Sequence, residues 1–473
     1  MQDPIPAPRS DASQVDASAE STFDAARPSS PVDEFGHDEF GDVVHDDIGQ
    51  IEVVAADTAV EAPLENSATA GLWALFLGLL LLMLGNGLNG TVVGLRSESQ
   101  GFDVVVTGVI MAGYFAGFLL SPSAVVRMVP SVGHIRVFAG LASTASSAVL
   151  VHSVTSDPVS WTLMRFVFGF CAAGLYVVIE SWLNDSAGPA IRGRMLSIYM
   201  IVSMLGLGAG QLLVGIGDID GYALFVVASV LVSLSLVPVT LAATTTPPPV
   251  RAVERSSVRD LWSIAATGVL GALMSGVVVG ALFGLAAVYA ARSGVSVERT
   301  GVFVSMPMIG AVLCQYPIGW VSDRVPRRGV ILVVGATLVA ACAGQAVVDA
   351  DSLAALALML VIGGTVFPLY SLSLTYTLDW TPTGTTVAVS GTLVRLNGTG
   401  AFAGPLIASL LMSVFDERWL FWTSAIAAAV LTAVTGVRII TRDGVPVDRQ
   451  RRFVNLPGRA SEYVLRLQPR RRR

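Results

Sequence analysis

Twelve membrane-spanning α-helices in two groups of six form the all-α fold that the sequence predicts, on three observations. From Leu72 onward the chain is a succession of twelve apolar stretches of about 18 to 28 residues, and about 20 apolar residues in helical form cross the hydrocarbon of a bilayer. The 473 residues are 53% hydrophobic and 14% charged, far below the roughly 25% charged of soluble domains, which excludes a soluble enzyme. The longest internal connection contains Pro247, Pro248 and Pro249, which cannot continue a helix and so divide the spans into two sets.

Each span ends where a Gly, Pro, Asp or Arg loop interrupts the apolar run. Helix 1, residues 71–95, stops at Arg96, and helix 2, residues 104–126, stops at Arg127. Helix 3 (136–154) is followed by Asp157, helix 4 (159–183) by Arg192 and Arg194, helix 5 (195–216) by Asp218 and Asp220, and helix 6 covers 221–242. In the second set, helix 7 (263–291) stops at Arg292, helix 8 (300–319) precedes Asp323, and helix 9 (329–348) precedes Asp349 and Asp351. Helix 10 covers 352–378, helix 11 (386–413) precedes Asp416 and Glu417, and helix 12 covers 418–440. The expected organisation is an acidic disordered tail (1–70), a first bundle (71–243), a linker (244–262), a second bundle (263–441) and a basic tail (442–473).

Arginine sets the orientation, because the chain has no lysine. The loops on one side hold Arg127, Arg136, Arg192, Arg194, Arg251, Arg255, Arg259, Arg324, Arg327 and Arg328, ten in all, against Arg96, Arg292, Arg299 and Arg418 on the other. The richer side is expected in the cytoplasm, with both termini beside it, in a multi-pass protein of the plasma membrane. Net charge is -6, yet residues 1–70 hold 16 Asp or Glu against Arg9 and Arg27, while the far end is dense in arginine. The acidic region has no sustained apolar run and lacks the two parts of a signal peptide. The basic tail either meets anionic lipid or the acidic tail, or fixes topology as a solvated charge run. Cys171, Cys314 and Cys342 all fall in apolar spans and read as packing residues, not as a disulfide or metal framework.

The halves repeat one another. Helix 4 reads Gly169-Phe-Cys-Ala-Ala-Gly-Leu-Tyr176 and helix 10 reads Gly363-Gly-Thr-Val-Phe-Pro-Leu-Tyr370, and each leads to a helix with glycines four apart, Gly206 and Gly210 or Gly400 and Gly404. The loop after helix 8, Gly319-Trp-Val-Ser-Asp323-Arg324-Val-Pro-Arg327-Arg328, resembles the signature of the major facilitator superfamily, and Arg165 with Gly169 is similar to that superfamily's helix 4 motif. The run Glu180-Ser-Trp-Leu-Asn184 resembles the YcaD-like branch. The resemblance implies the major facilitator fold, two pseudo-symmetric six-helix bundles, and a role for Asp323, Arg324, Arg327 and Arg328 in latching one conformation. Three departures stand out. The loop after helix 2 lacks the aspartate, Pro326 replaces a glycine, and helix 5 has Gly210-Gln211 where drug antiporters have glycine followed by proline.

Charges inside the membrane point to function, since each costs several kcal/mol at the bilayer centre unless it is paired or faces water. Arg165 and Glu180 on helix 4 and Arg395 on helix 11 are the candidates. At 100° per residue, Arg165, Gly169, Tyr176 and Glu180 fall at about 0°, 40°, 20° and 60°, one polar stripe expected to face a central cavity. Arg165 and Glu180 are roughly 22 Å apart along the helix and need separate partners. In the fold that the resemblance implies, Glu180 and Arg395 approach across the interface between halves as a gating pair. Two alternatives stay open: Glu180 takes up a coupling proton, or both charges are satisfied locally by helix ends and water. Asn86 and Asn89, three apart on helix 1, are candidates for substrate binding or helix packing, and Tyr176, Phe367 and Tyr370 for aromatic walls, with Gln315 and Asn397 weaker. Gly276, Gly280 and Gly284 mark a close helix contact.

No catalytic constellation and no nucleotide-binding Gly-x-x-x-x-Gly-Lys loop is present, and the four histidines build no metal site. The expectation is a monomeric secondary transporter of a small-molecule substrate, with proton coupling plausible from Glu180 and Arg165. No cofactor and no nucleic acid is expected, and membrane lipid is its surroundings. The competing reading is a non-transporting membrane sensor or scaffold that works through its charged tails.

Overall fold

Helices form along the apolar runs, and three of them begin where a side-chain oxygen takes one of the first free backbone N–H groups. The computed structural model describes residues 61–186, 192–241, 256–382 and 384–453, with side chains from residue 73 and without those of 184–193. Residues 1–60, the triple proline with most of the linker, and residues 454–473 lie outside the described residues, and so do the tail readings that fall on them.

Twelve helices are long and apolar enough to cross a membrane, and no strand occurs among the described residues. They are α1 (Glu61–Ser99), α2 (Val104–Val132), α3 (His134–Val154), α4 (Pro158–Ser186), α5 (Arg192–Leu212) and α6 (Ala223–Leu241) in the first half. The second half holds α7 (Val258–Arg292), α8 (Val297–Ser322), α9 (Arg327–Val347), α10 (Leu353–Asp379), α11 (Thr386–Val414) and α12 (Trp419–Thr441). Asp103 caps α2 by accepting from the Val105 amide at 2.8 Å, and Ser352 caps α10 by accepting from Ala355 at 3.1 Å. α1 begins at Glu61, ten residues before the expected start at 71 and within the stretch expected to be a disordered tail. α6 breaks at Ser235, because Pro238 lacks the N–H that would reach Leu234 and its ring crowds that carbonyl. In α7 the non-helical Ala265 (φ -136°, ψ 48°) separates an approach segment from the span proper, expected from 263.

Each half is built from the same helix pairs. α1 packs on α5 and α2 on α4, as α7 packs on α11 and α8 on α10. Glycine brings each pair into backbone contact. A β-carbon on Gly87 would strike the Leu207 carbonyl, and one on Gly210 the Leu84 carbonyl; Gly276 meets Asn397, Gly280 meets Ala401, and Gly400 and Gly404 meet α7 in return. The α2–α4 pair does the same through Gly117 and Gly169, and α8–α10 through Gly310 and Gly363. The glycine row read on helix 7 is therefore a close helix contact, with Gly284 set against Pro405 and Met111.

The halves meet along α2–α11, α5–α8 and α1–α7. Most of the named meeting points lie toward the end of the acidic loops. Gly94 faces Ala287 and Val288, Gly108 faces Pro405 and Ser409, Gly208 faces Met308, and Gly301 faces Gln211 and Val214. Arg292 donates to Glu98 at 2.8 Å across the same end. Toward the arginine loops, Gly398 against Leu119 and Arg395 against Ser123 connect α11 to α2.

Candidate functional site

A cavity lies between the halves, lined by α1, α2, α4 and α5 from the first and by α7, α8 and α10 from the second. It holds about 720 Å³ of atom-free space, a figure that includes open solvent. Its polar wall comes from Asn86, Thr91, Tyr114, Arg165 and Gln211, and its apolar wall includes Phe283, Met308, Met359 and Phe367.

Asn86, Tyr114 and Arg165 of the polar wall form a connected cluster with Tyr176. The Asn86 amide nitrogen donates to the Tyr176 hydroxyl at 2.8 Å and approaches that of Tyr114 at 3.3 Å. Tyr176 in turn donates to the Met83 sulfur at 3.6 Å. The Arg165 guanidinium lies over the Tyr114 ring, 4.9 Å from its centre, where the face of the ring favours a cation. Of the α4 stripe expected to face the cavity, Arg165 lines it; Tyr176 is buried outside the lining and meets Asn86 of α1, Gly169 packs on the Tyr114 backbone, and Glu180 lies outside the lining too.

Asn89 does not join this cluster. Three residues turn a helix through about 300°, so Asn89 lies to one side of Asn86 while Gly87, Gly90 and Thr91 lie to the other and face the cavity. It is fully buried, and neither amide atom has a hydrogen-bonding partner among the described residues. Phe367 lines the cavity edge-on to Phe283, with centroids 6.2 Å apart, whereas Tyr370, one turn on, is buried outside the lining. Asn397 donates to the Ala272 carbonyl at 3.0 Å and to Ser275 at 3.1 Å, and Gln315 donates to Ser371 at 3.0 Å, so both tie helices within the second half.

Glu180 is fully buried and accepts a 2.5 Å hydrogen bond from the Tyr199 hydroxyl on α5. Arg395 donates to Ser123 on α2 at 3.2 Å. The signature residues after α8 form a second centre, at the arginine end of the second half. Arg327 is buried, pairs with Asp379 at the end of α10, and reaches Asp323 at 3.4 Å and Ser322 at 3.0 Å. Arg328 donates to the carbonyls of Arg438 and Arg442 at the end of α12, and Arg324 lies over the Trp320 ring. The segment after α12 returns across this centre. The Arg451 amide donates to Asp379 at 2.8 Å, the Phe453 amide donates to Asp323 at 2.7 Å, and the Phe453 ring covers Gly319. Asp323 thus has a partner within its own half.

Sequence reasoning passed over Tyr114, Tyr199, Asp379 and Phe453. Tyr and Phe in an apolar run are indistinguishable from lipid-facing or core residues. Asp379 carried a usable signal, an acid at the end of a span on the arginine side. No group of three or more His, Cys, Asp or Glu that could hold a metal ion occurs among the described residues.

A sequence model of the Major Facilitator Superfamily matches residues 75–393 and 268–467. An uncharacterised MFS-type transporter of Yersinia pestis is 27% identical over 352 residues, covering 73% of this chain and 90% of its own length. The uncharacterised MFS-type transporter YcaD of Salmonella newport is 28% identical over 361 residues, covering 75% and 92%. Among solved structures, the nucleoside transporter NupG superposes with a TM-score of 0.64 at 14% identity, over 78% of this chain and 99% of that one. A bacterial homologue of the human lysosomal transporter Spinster, inward-facing and unoccupied, superposes with a TM-score of 0.61 at 16% identity, over 85% and 97%. At these identities the solved structures speak for the fold.

Proposed function

The chain belongs to the Major Facilitator Superfamily, and from that membership we propose that this membrane transporter carries a small solute through its central cavity by alternating access. The observation that carries the reading is the cavity itself, walled by both halves and holding a buried arginine among hydrogen-bonded Asn86, Tyr114 and Tyr176. A charge that deep is costly in a purely structural protein and is useful where a solute must be bound. The arginine distribution supports an orientation with the arginine loops and both termini in the cytoplasm. Contacts between halves gathered at the acidic end then correspond to a molecule closed toward the outside.

Proton coupling through Glu180 is part of the proposal, supported by its complete burial and its short bond to Tyr199. So is the gate: Glu180 and Arg395 exchange partners as the arginine end closes, leaving Tyr199 and Ser123.

Distances between spin labels on reconstituted full-length protein test the reading. One pair, at Met128 and Val325, reports on the arginine end, and a second, at Ser99 and Ser293, on the acidic end. Alternating access requires the two distances to change in opposite senses when pH is stepped or Glu180→Gln is introduced. Both staying fixed under every condition, with no solute moved in proteoliposomes, would count against transport.

A further inference from the structure

The two walls of the cavity differ in chemistry. Every polar side chain that lines it comes from the first half, and the lining from the second half is entirely apolar. Arg165 is the one charged residue among the lining residues, so the wall carries a single positive charge and no acid. From this we infer that the solute is an amphipathic organic monoanion, with one carboxylate on the Arg165 side and an apolar body against Phe283 and Phe367. The inference rests on the transport reading above and names its substrate class.

Four features of the wall favour this class over others. A guanidinium presents a planar fork that matches a carboxylate with two parallel hydrogen bonds, which an ammonium does not. The Tyr114 ring offers its face to the Arg165 guanidinium, 4.9 Å from ring centre to central carbon. A cation would enter a site that already holds a positive charge, and a dianion would bring one charge more than the wall can match in a low dielectric. A sugar would set its hydroxyls against the apolar second half, leaving them without hydrogen bonds.

The test separates binding from transport. Purified full-length protein is titrated with benzoate, phenylacetate, phenylbutyrate and indoleacetate, and with matched controls: phenethylamine (cation), phenylacetamide (neutral) and succinate (dianion). Binding is read as a shift in melting temperature and by calorimetry. At least one monocarboxylate is expected to bind at least about tenfold tighter than every control, and to lose that margin in Arg165→Gln. Arg165→Lys keeps the charge without the fork and should fall between the two, and melting without ligand shows whether either variant is folded. Phe367→Ala should weaken the aromatic acids alone. Equal binding of the amide or amine, binding that survives Arg165→Gln, or no binding by any of the four acids would overturn the inference. Counterflow in proteoliposomes keeps the two readings apart. An acid that binds through Arg165 without exchanging sinks the transport reading and keeps the site, while exchange of a sugar or a cation in place of the acids does the opposite.

Discussion

Asn86 and Tyr176 join α1 to α4 by a 2.8 Å hydrogen bond at the cavity wall, between residues 90 apart in the chain. Tyr176→Phe deletes the acceptor and leaves Asn86 with the longer contact to Tyr114. The expected loss is about 1 kcal/mol of stability, read as a lower melting temperature in detergent. Solute binding should weaken as well, because the α1 side of the wall loses its anchor. A Tyr176→Phe protein with wild-type melting and binding would mean that the bond contributes to neither.

Arg327 and Asp379 form a buried pair beneath the segment after α12, each with 1% of its side chain exposed. Asp379→Ala strips a buried guanidinium of its carboxylate and should cost about 3–5 kcal/mol. Replacing both, Arg327→Met with Asp379→Leu, should restore most of it, since no buried charge is then left unmatched and the partly exposed Asp323 keeps the Phe453 amide. Melting temperatures of the two proteins decide this. A double variant as unstable as the single would show that the backbone donor at Arg451 is what the aspartate chiefly serves.

Gly87 and Gly90 separate packing from binding on one helix. A methyl at Gly87 meets the Leu207 carbonyl, whereas nothing lies within 4 Å of a β-carbon at Gly90, which faces the cavity. Gly87→Ala should reduce folded yield on size-exclusion chromatography. Gly90→Ala should fold normally and weaken solute binding by narrowing the site. Equal yields from the two variants would argue against the close α1–α5 approach.

The Arg292–Glu98 bridge spans the acidic end, with both side chains more than a quarter exposed. Its contribution to stability should be within about 1 kcal/mol and smaller in high salt. Its effect on the balance between conformations should be easier to see, since it joins the two halves. Glu98→Gln is expected to lengthen the Ser99 to Ser293 spin-label distance in part of the population. Unchanged distance distributions at low salt would assign the contact at the acidic end to the packing at Gly94, Gly108, Gly208 and Gly301.

Much of the fold was legible because membrane helices declare themselves through composition. The start of α10 at Leu353 follows from where an apolar run begins. Arg165 was legible for the same reason, as a charge in hydrocarbon has few structural uses. Tyr114 and Tyr199 were not, because an aromatic residue in an apolar span gains its meaning only from the polar group it meets on another helix. Asn89 shows the complementary limit. Spacing places it near Asn86, but only the packing of neighbouring helices decides which side of Asn86 opens on the cavity. The role of Phe453 depended on chain after α12 folding back over Asp323, and no periodicity in a short polar segment signals that.

The glycine seams have a mechanical consequence. Where Gly280 meets Ala401 and Gly210 meets Leu84 backbone to backbone, no side chain stands between the helices to change rotamer, so each pair has almost no play. Under the proposed alternating access, a half built from two such pairs would act as a stiff lever, so that widening at one end appears as narrowing at the other, with the cavity beside Arg165 and Phe367 between the two ends.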